Sequence, residues 1–479
     1  MSRLLPLAAL CMAPALLAQS RPNVLLLFAD DQRPDTIAAW GNDAIDTPTL
    51  DGLVARGFGF RGAHCLGSPH GAVCIPSRAM LHTGRAYHGL DLGEFGGAPT
   101  LGELLGAAGY RTWGVGKWHN GREAFRRSFQ HGRAVFLGGM SDHNAVPIVD
   151  LRDGTFVDER VGARHSSELF ADAAIEVLTG YRDEEPFFLY VAFTAPHDPR
   201  DPPPAFRERY YADPPPLPPN ALPQHPFDNG AIVLRDENLA PWPRPADVVR
   251  DQLCEYYGLI THLDREVGRI LAALERTGHA EQTLVVYAAD HGLAVGSHGL
   301  LGKQSLYEHS MGAPLVVAGP GIPAGESTDA LVYVHDLFPT LLAAAGVTVP
   351  EGVHGRDLAP LWRGEVEAVR ETLFTSYGRT QRAVRDARFK LVRYPAVDVT
   401  QLFDLEADPH ETTSLADDPG HAGEIARLRG ALESWQERLG DDVPWTAEEV
   451  RPAAVDPTGT PREPDRWQPA WIRAKYFGG

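Results

Sequence analysis

The sequence predicts an α/β protein, with a large, mostly parallel central sheet flanked by helices and a smaller C-terminal domain built on a short antiparallel sheet. Three observations carry this expectation. Short apolar runs bounded by turn residues alternate with helix-like segments through most of the chain. A long amphipathic stretch from about Gln252 to Arg276 supplies a covering helix. Beyond residue 365 the pattern changes to short strand-like segments joined by turns.

At the amino end, Arg3 precedes an apolar stretch from Leu4 to Leu17, and Ala18-Gln19-Ser20 places small residues where a signal peptidase reads. Residues 1–20 are therefore expected to be an export signal, giving a secreted or periplasmic protein. Cys11 raises lipoprotein anchoring, but Leu10 is larger than the residue that usually precedes a lipidated cysteine. Strands are expected at Asn23 to Phe28, Arg111 to Val115, Phe187 to Phe193 and Thr283 to Ala289, each rich in Val, Leu, Phe or Tyr. In the covering helix, Leu253, Tyr256, Ile260, Leu263, Val267, Ile270 and Leu274 recur at helical spacing, with Gly278 beyond the end. Between Pro199 and Pro245 prolines recur too often for a regular element, so an excursion over the main domain is expected there.

Residues 21–365 are read as the main domain and 366–479 as a C-terminal subdomain. Within the latter, strands are expected at Thr372 to Tyr377, Arg382 to Val384, Phe389 to Tyr394 and Gln401 to Asp404, closed by a helix near Gly423 to Leu439. The last forty residues read as an extended tail, and the chain shows no internal repeat.

Composition narrows the function. The chain has 479 residues, 43% of them hydrophobic and 22% charged, as in an ordinary globular protein. A formal net charge of -19, without a long basic run, argues against nucleic acid as a partner. No segment beyond residue 20 is long and apolar enough to suggest a membrane span. Past the signal only Cys65, Cys74 and Cys254 remain, an odd number in a chain expected to meet an oxidising compartment. A Cys65 to Cys74 bridge and buried free thiols are both compatible with that count.

In open α/β sheets, ligands bind beyond the carboxyl ends of the strands. The first expected strand runs into Asp30-Asp31, the second is followed by Lys117 and His119, the third by His197 and the fourth by Asp290-His291. Singly, each has a plain structural explanation as a cap or a satisfied polar group. Together, three carboxylates converging on one place require a cation. Asp30, Asp31 and Asp290 suit a hard divalent ion, His291 offers either a ligand nitrogen or a contact behind the ligands, and calcium is favoured over magnesium, with zinc below both.

The segment Cys74-Ile75-Pro76-Ser77-Arg78, continuing to Thr83-Gly84-Arg85, resembles the signature of type I sulfatases, the formylglycine-dependent branch of the alkaline phosphatase superfamily. The resemblance extends over Asn23 to Asp31, Gly114 to Gly121, Ala195 to His197, Ala289 to Gly292, Lys303 to Glu308 and Ala387 to Pro409. It implies the alkaline-phosphatase-like sulfatase fold. It also implies that a separate maturing enzyme, a partner of this chain, oxidises Cys74 to formylglycine. A hydrated aldehyde offers two hydroxyls on one carbon: one attacks sulfur and displaces the alcohol, and the other later expels sulfate.

The resemblance further implies one calcium ion per chain on Asp30, Asp31, Asp290 and His291, touching residue 74 as well. His291 departs from the Asn or Gln found in many relatives. Arg78 would hold the hydrated aldehyde, Lys117 and Lys303 would face the sulfuryl oxygens, His119 would act as base, and His197 would protonate the leaving oxygen. His70, Asn144, Asp198, His298 and Arg379 are candidate substrate contacts. The expected substrate is a sulfated poly- or oligosaccharide. The alternatives are phosphonate or phosphate ester hydrolysis, and non-catalytic binding of sulfated glycans.

Overall fold

The computed structural model describes residues 21–477; the expected export signal lies outside the described residues. The centre of the molecule is a ten-stranded mixed sheet. Its middle consists of five parallel strands in the order Thr283–Ala289, Asn23–Ala29, Phe187–Ala192, Arg111–Lys117 and His131–Phe136. The first three are buried at every position. This is why their sequences are unbroken apolar runs rather than alternating ones: helices cover both faces of a parallel sheet.

Toward both edges the sheet turns antiparallel, at Leu315–Ala318 on one side and at Pro147–Arg152 with Thr155–Val161 on the other. The parallel pattern therefore holds through the centre, and at the margins only for the outer pair Glu326–Thr328 with Gly57–Phe60. Strands joined by short turns, such as Pro147–Arg152 and Thr155–Val161, can only pair antiparallel, because a parallel return needs a crossover.

The covering helix runs from Ala246 to Arg276, starting six residues before the expected Gln252. Pro245 precedes it, and the proline-rich stretch before it, together with Asp247, Arg250 and Asp251, masks the start of its apolar spacing. It packs against the helices Ser166–Gly180 and Pro204–Ala212. The latter lies inside the proline-rich excursion, where no regular element was expected; Pro203 and Pro204 sit at its start, where a missing N–H costs nothing.

The second sheet has the order Val399–Asp404, Phe389–Tyr394, Gln381–Arg385, Leu373–Tyr377 and Gly67–Ser68. Its four C-terminal strands are antiparallel and follow the expected segments, and Ala422–Leu439 packs against them. The fifth strand comes from the main domain, seven residues before Cys74, and pairs in parallel with Leu373–Tyr377. The junction is also ionic: Glu308 takes Arg385, Lys390 at 2.9 Å and His64 at 2.9 Å, and Lys390 reaches Glu411 at 2.8 Å. Both contacts fix the loop before Cys74 and the segment after Lys303 to the second sheet.

The tail ends in a helix, Ala470–Phe477, whose Lys475 reaches Asp251 at 2.8 Å and Glu255 at 3.1 Å on the covering helix. Cys65, Cys74 and Cys254 are buried and unpaired, so no Cys65 to Cys74 bridge forms. No helix among the described residues is long and apolar enough to cross a membrane.

Candidate active site

The four strands whose ends carry chemistry are consecutive neighbours in the sheet, so their carboxyl ends open on one place. Registry sharpens this. Ala29 lies opposite Ala289, which brings Asp30 beside Asp290. Ligand oxygens of Asp30, Asp31 and Asp290 lie within 4.8 Å of one another, all three residues fully buried.

The turn after the first strand is held from below. Asp31 has a positive φ of 67°, and Tyr256 of the covering helix donates from Oη to Asp31 O at 2.6 Å while accepting the Arg33 N–H at 2.9 Å. These two bonds satisfy backbone groups that would otherwise be buried without partners.

Residue 74 opens the helix Cys74–Thr83, whose N-terminus favours negative charge there. Ser77 ties this helix to the end of the Thr283–Ala289 strand by donating from Oγ to Asp290 O at 2.8 Å. The helix closes at Gly84, whose left-handed φ of 66° places it against Phe338, with no room for a Cβ. The Thr83-Gly84-Arg85 part of the signature is thus a helix stop.

Around Cys74, His119 Nδ1 lies 3.0 Å from Sγ and Lys117 Nζ 3.9 Å from it. His119 has a φ of 70°, and Gly139 faces its ring so closely that a Cβ there would lie 2.0 Å from Nε2. Burial, and then the charge of Lys117, hold the His119 imidazole well below its ordinary range, so it is a neutral base near pH 7. Burial raises the Cys74 thiol, but the charges of Lys117 and Lys303 outweigh it and lower its pKa, which marks this position as one that welcomes a developing anion.

Lys303 reaches both carboxylate oxygens of Asp31, at 2.9 and 2.8 Å. Its loop is held by Glu237, whose carboxylate accepts the N–H of Leu301 and of Gly302 and pairs with buried Arg244. His197 Nε2 lies 3.8 Å from the same Asp31, and Nδ1 is 2.7 Å from Asp198 O. His143 Nε2 is 2.9 Å from the His197 carbonyl and orients that loop.

Arg78 is buried beneath the strand ends. It donates to Lys117 O at 3.1 Å, Tyr190 Oη at 3.0 Å and Asp290 at 3.3 Å, and lies 3.5 Å from Asp30. Its hydrogen bonds therefore order the carboxylates rather than reach residue 74.

The residues fit a divalent cation. Asp30 Oδ1 and His291 Nε2 are buried without hydrogen-bond partners. His291 Nδ1 is 2.9 Å from the Gly292 carbonyl, which only accepts, so Nδ1 carries the hydrogen and Nε2 faces Asp31 at 3.5 Å. Burial, and then the charge of Asp30, push the Asp290 carboxyl well above the usual range. Asp30 goes the other way: burial opposes its ionisation, but Lys117 and Arg78 win and hold it well below. Two carboxylates so split need a further cation for both to ionise.

A cavity of about 330 Å³ opens above this group and is lined by Cys74, His119, His197, Lys303, Gln304, Arg235 and Asp236, among others. A larger one, about 620 Å³, lies at the amino end of the strands near Pro22, Leu284 and Trp362, and its lining contains no His, Cys or Asp. Of these two, the first holds the thiol, both imidazoles and Lys303.

Not every sequence candidate enters that cavity. Asn144 is exposed and bonds Asp201; Arg379 is exposed and pairs with Asp442 at 2.6 Å. His298 is buried elsewhere, stacked on Tyr307 at 3.8 Å and held by Glu411 O. His70 lies on the exposed rim, its N–H donated to Ser68 Oγ. Asp198 is buried behind the wall, where it holds Arg235. Each looked suitable by residue type, but the side chains of Asn144, Arg379, His298 and Asp198 are spent on local partners, and His70 is held through its backbone.

Arg235, Asp236 and Met140 of the wall were not foreseen from sequence. Arg235 and Asp236 lie in the proline-rich excursion, and the only signal was that a long excursion often borders a site. Gln304 joins the parts, donating to Gly71 O at 2.8 Å and to Asp236 at 2.6 Å.

The profile of the Sulfatase family matches residues 22–347, more than half of the chain. The chain belongs to the sulfatase family. A second profile, N-sulphoglucosamine sulphohydrolase, C-terminal, matches residues 296–438. An N-acetylglucosamine-6-O-sulfatase of Bacteroides thetaiotaomicron is 25% identical over 527 residues, covering 93% of this chain and 92% of that protein. A multifunctional alkaline phosphatase superfamily protein of Trinickia caryophylli is 28% identical, covering 87% of this chain and 95% of its own. Among solved structures, a complex with D-glucosamine-2-N,6-O-disulfate superposes with a TM-score of 0.75 at 23% identity, over 90% of this sulfatase and all of that chain. That likeness shows the shared fold. This sulfatase thus carries its family's α/β architecture with a candidate metal-binding acidic group at the strand ends.

Proposed function

We propose that this sulfatase removes sulfate from a carbohydrate, with residue 74 converted to formylglycine and calcium held by Asp30, Asp31, Asp290 and His291. The observation that carries this reading is the position of residue 74. It opens a helix, lies 3.0 Å from a neutral histidine, is flanked by Lys117 and adjoins a buried three-carboxylate group. The carbohydrate part is supported by the named substrate of the glucosamine sulfatase relative, which aligns along 93% of this chain. The export signal read in residues 1–20 accords with a polymer met outside the cytoplasm.

Bound calcium would act as a Lewis acid toward a sulfate oxygen and favour the ionised hydroxyl of residue 74. The chain's own residues supply the rest. Lys117 and Lys303 place fixed positive charge around the space above Asp30 and Asp31, where the sulfuryl oxygens gain charge. His119 Nδ1 takes a proton from the hydroxyl of residue 74. On the opposite wall, His197 Nε2 faces the cavity beside Lys303 and can deliver a proton to the departing sugar oxygen, which an alkoxide leaving group requires. Arg78 fixes the carboxylates from beneath.

Phosphorus ester hydrolysis is the second reading, favoured by the likeness to the multifunctional superfamily protein. One experiment separates the two. Protein coexpressed with a formylglycine-generating enzyme is digested, the peptide containing residue 74 is weighed, and ester cleavage is measured on sulfated saccharides and phosphonate monoesters. The expected outcome is a loss of about 18 Da, the sulfur and two hydrogens replaced by an aldehyde oxygen, together with sulfate release. Unmodified Cys74 with full turnover would defeat the nucleophile assignment, and cleavage confined to phosphorus esters would establish the second reading.

A further inference from the structure

A second cavity of about 410 Å³ adjoins the one at residue 74, and Gly139 and Met140 line both. Its far wall comes from the tail, through Arg466 and Trp467, and its near wall from Arg122 and the His131–Phe136 strand. Each cavity has the size of a small-ligand site, so the pair offers room for two linked sugars rather than one.

The tail is anchored to the catalytic wall on both sides of Trp467. Asp465 accepts from Arg235 at 2.9 Å, and Gln468 donates to Asp198 at 2.8 Å, next to His197. Trp467 N–H is donated to Asp465 at 2.8 Å, which fixes the intervening turn. These contacts on either side hold a half-buried indole against the second cavity.

The chemistry of the second cavity is selective. Arg466 lies over the Trp467 ring at 4.3 Å, and Arg122 over Phe156 at 4.5 Å. Against these two exposed guanidinium groups stands one carboxylate, Glu159, leaving net positive charge. An indole suits the C–H face of a sugar, and planar guanidinium groups suit a carboxylate or sulfate.

We propose that the Trp467 cavity is a saccharide subsite that binds the sugar adjoining the sulfated residue, and that it prefers an adjoining sugar bearing a carboxylate or sulfate. The enzyme then acts on oligosaccharides or polymers in preference to single sulfated sugars. This inference rests on the carbohydrate reading above.

The test uses the full, matured chain and two substrates: a sulfated monosaccharide and an oligosaccharide in which the same sulfated sugar adjoins a uronate. Trp467→Ala and, separately, Arg466→Ala are compared with wild type. In both variants kcat/KM on the oligosaccharide should fall about tenfold, the loss of one good contact, while the monosaccharide value stays at wild type. The Arg466→Ala change is on an exposed side chain, so its result decides even if the tryptophan variant folds poorly. Equal values for that variant and wild type on the oligosaccharide would overturn the subsite, as would an equal fall on both substrates. A wild-type enzyme that cleaves phosphonate esters and neither saccharide would overturn the carbohydrate reading and the subsite with it.

Discussion

His82 provides a quantitative test of how this fold treats a buried titratable group. It lies on the helix that begins at Cys74, fully buried against Trp118 at 4.7 Å and Tyr190 at 4.8 Å, and neither ring nitrogen has a hydrogen-bond partner. Burial, and then the charge of Arg78, lower its pKa from 6.5 to about 3. In the unfolded chain the same histidine titrates at its ordinary value. Below that value the unfolded state binds a proton that the folded state refuses, so stability falls as pH drops from about 6.5 toward about 3. At about 1.4 kcal/mol per pKa unit, the loss through this residue between pH 7 and pH 4.5 is about 2–3 kcal/mol. His82→Leu keeps an apolar side chain of similar size and removes the titration. Urea unfolding of both proteins at pH 7 and at pH 4.5 reads the difference, and every other titrating group cancels between them. The leucine variant should lose about 2–3 kcal/mol less than wild type on acidification. If the two proteins lose the same amount, His82 is either solvated or hydrogen-bonded in solution, and the assigned environment is wrong.

Two further outcomes follow from the site. Gly139→Ala places a methyl 2.0 Å from His119 Nε2, so the imidazole must leave residue 74. Turnover should drop by about a hundredfold with unfolding behaviour close to wild type, the size expected when a general base is misplaced; unchanged kcat would remove His119 from the mechanism. Asp290→Asn relieves repulsion with Asp30, so under chelation the variant should unfold at or above the wild-type midpoint. Added calcium should then stabilise wild type by about 4 kcal/mol at a thousandfold excess over Kd and the variant far less, read by thermal shift; equal calcium responses would exclude Asp290 as a ligand.

What the sequence determined by itself was local. Unbroken apolar runs fixed the Asn23–Ala29, Phe187–Ala192 and Thr283–Ala289 strands, because a strand covered on both faces has no polar side to alternate with. The residue types at the strand ends and the Cys74 to Arg85 signature pointed to the reactive group before any distance was known. Tertiary structure alone decided which strands are neighbours, and hence that Asp30 faces Asp290 across the Ala29–Ala289 register. It also brought Arg235 from the proline-rich excursion to the reaction cavity and Trp467 from the tail to the cavity beside it, and it consigned His298 to a stack on Tyr307. A backbone run is shaped by neighbours two to four residues away, which a sequence displays. The partner of a side chain such as Asp198, which meets Gln468 270 residues later, is chosen by the packing of the whole chain, and no local pattern records it.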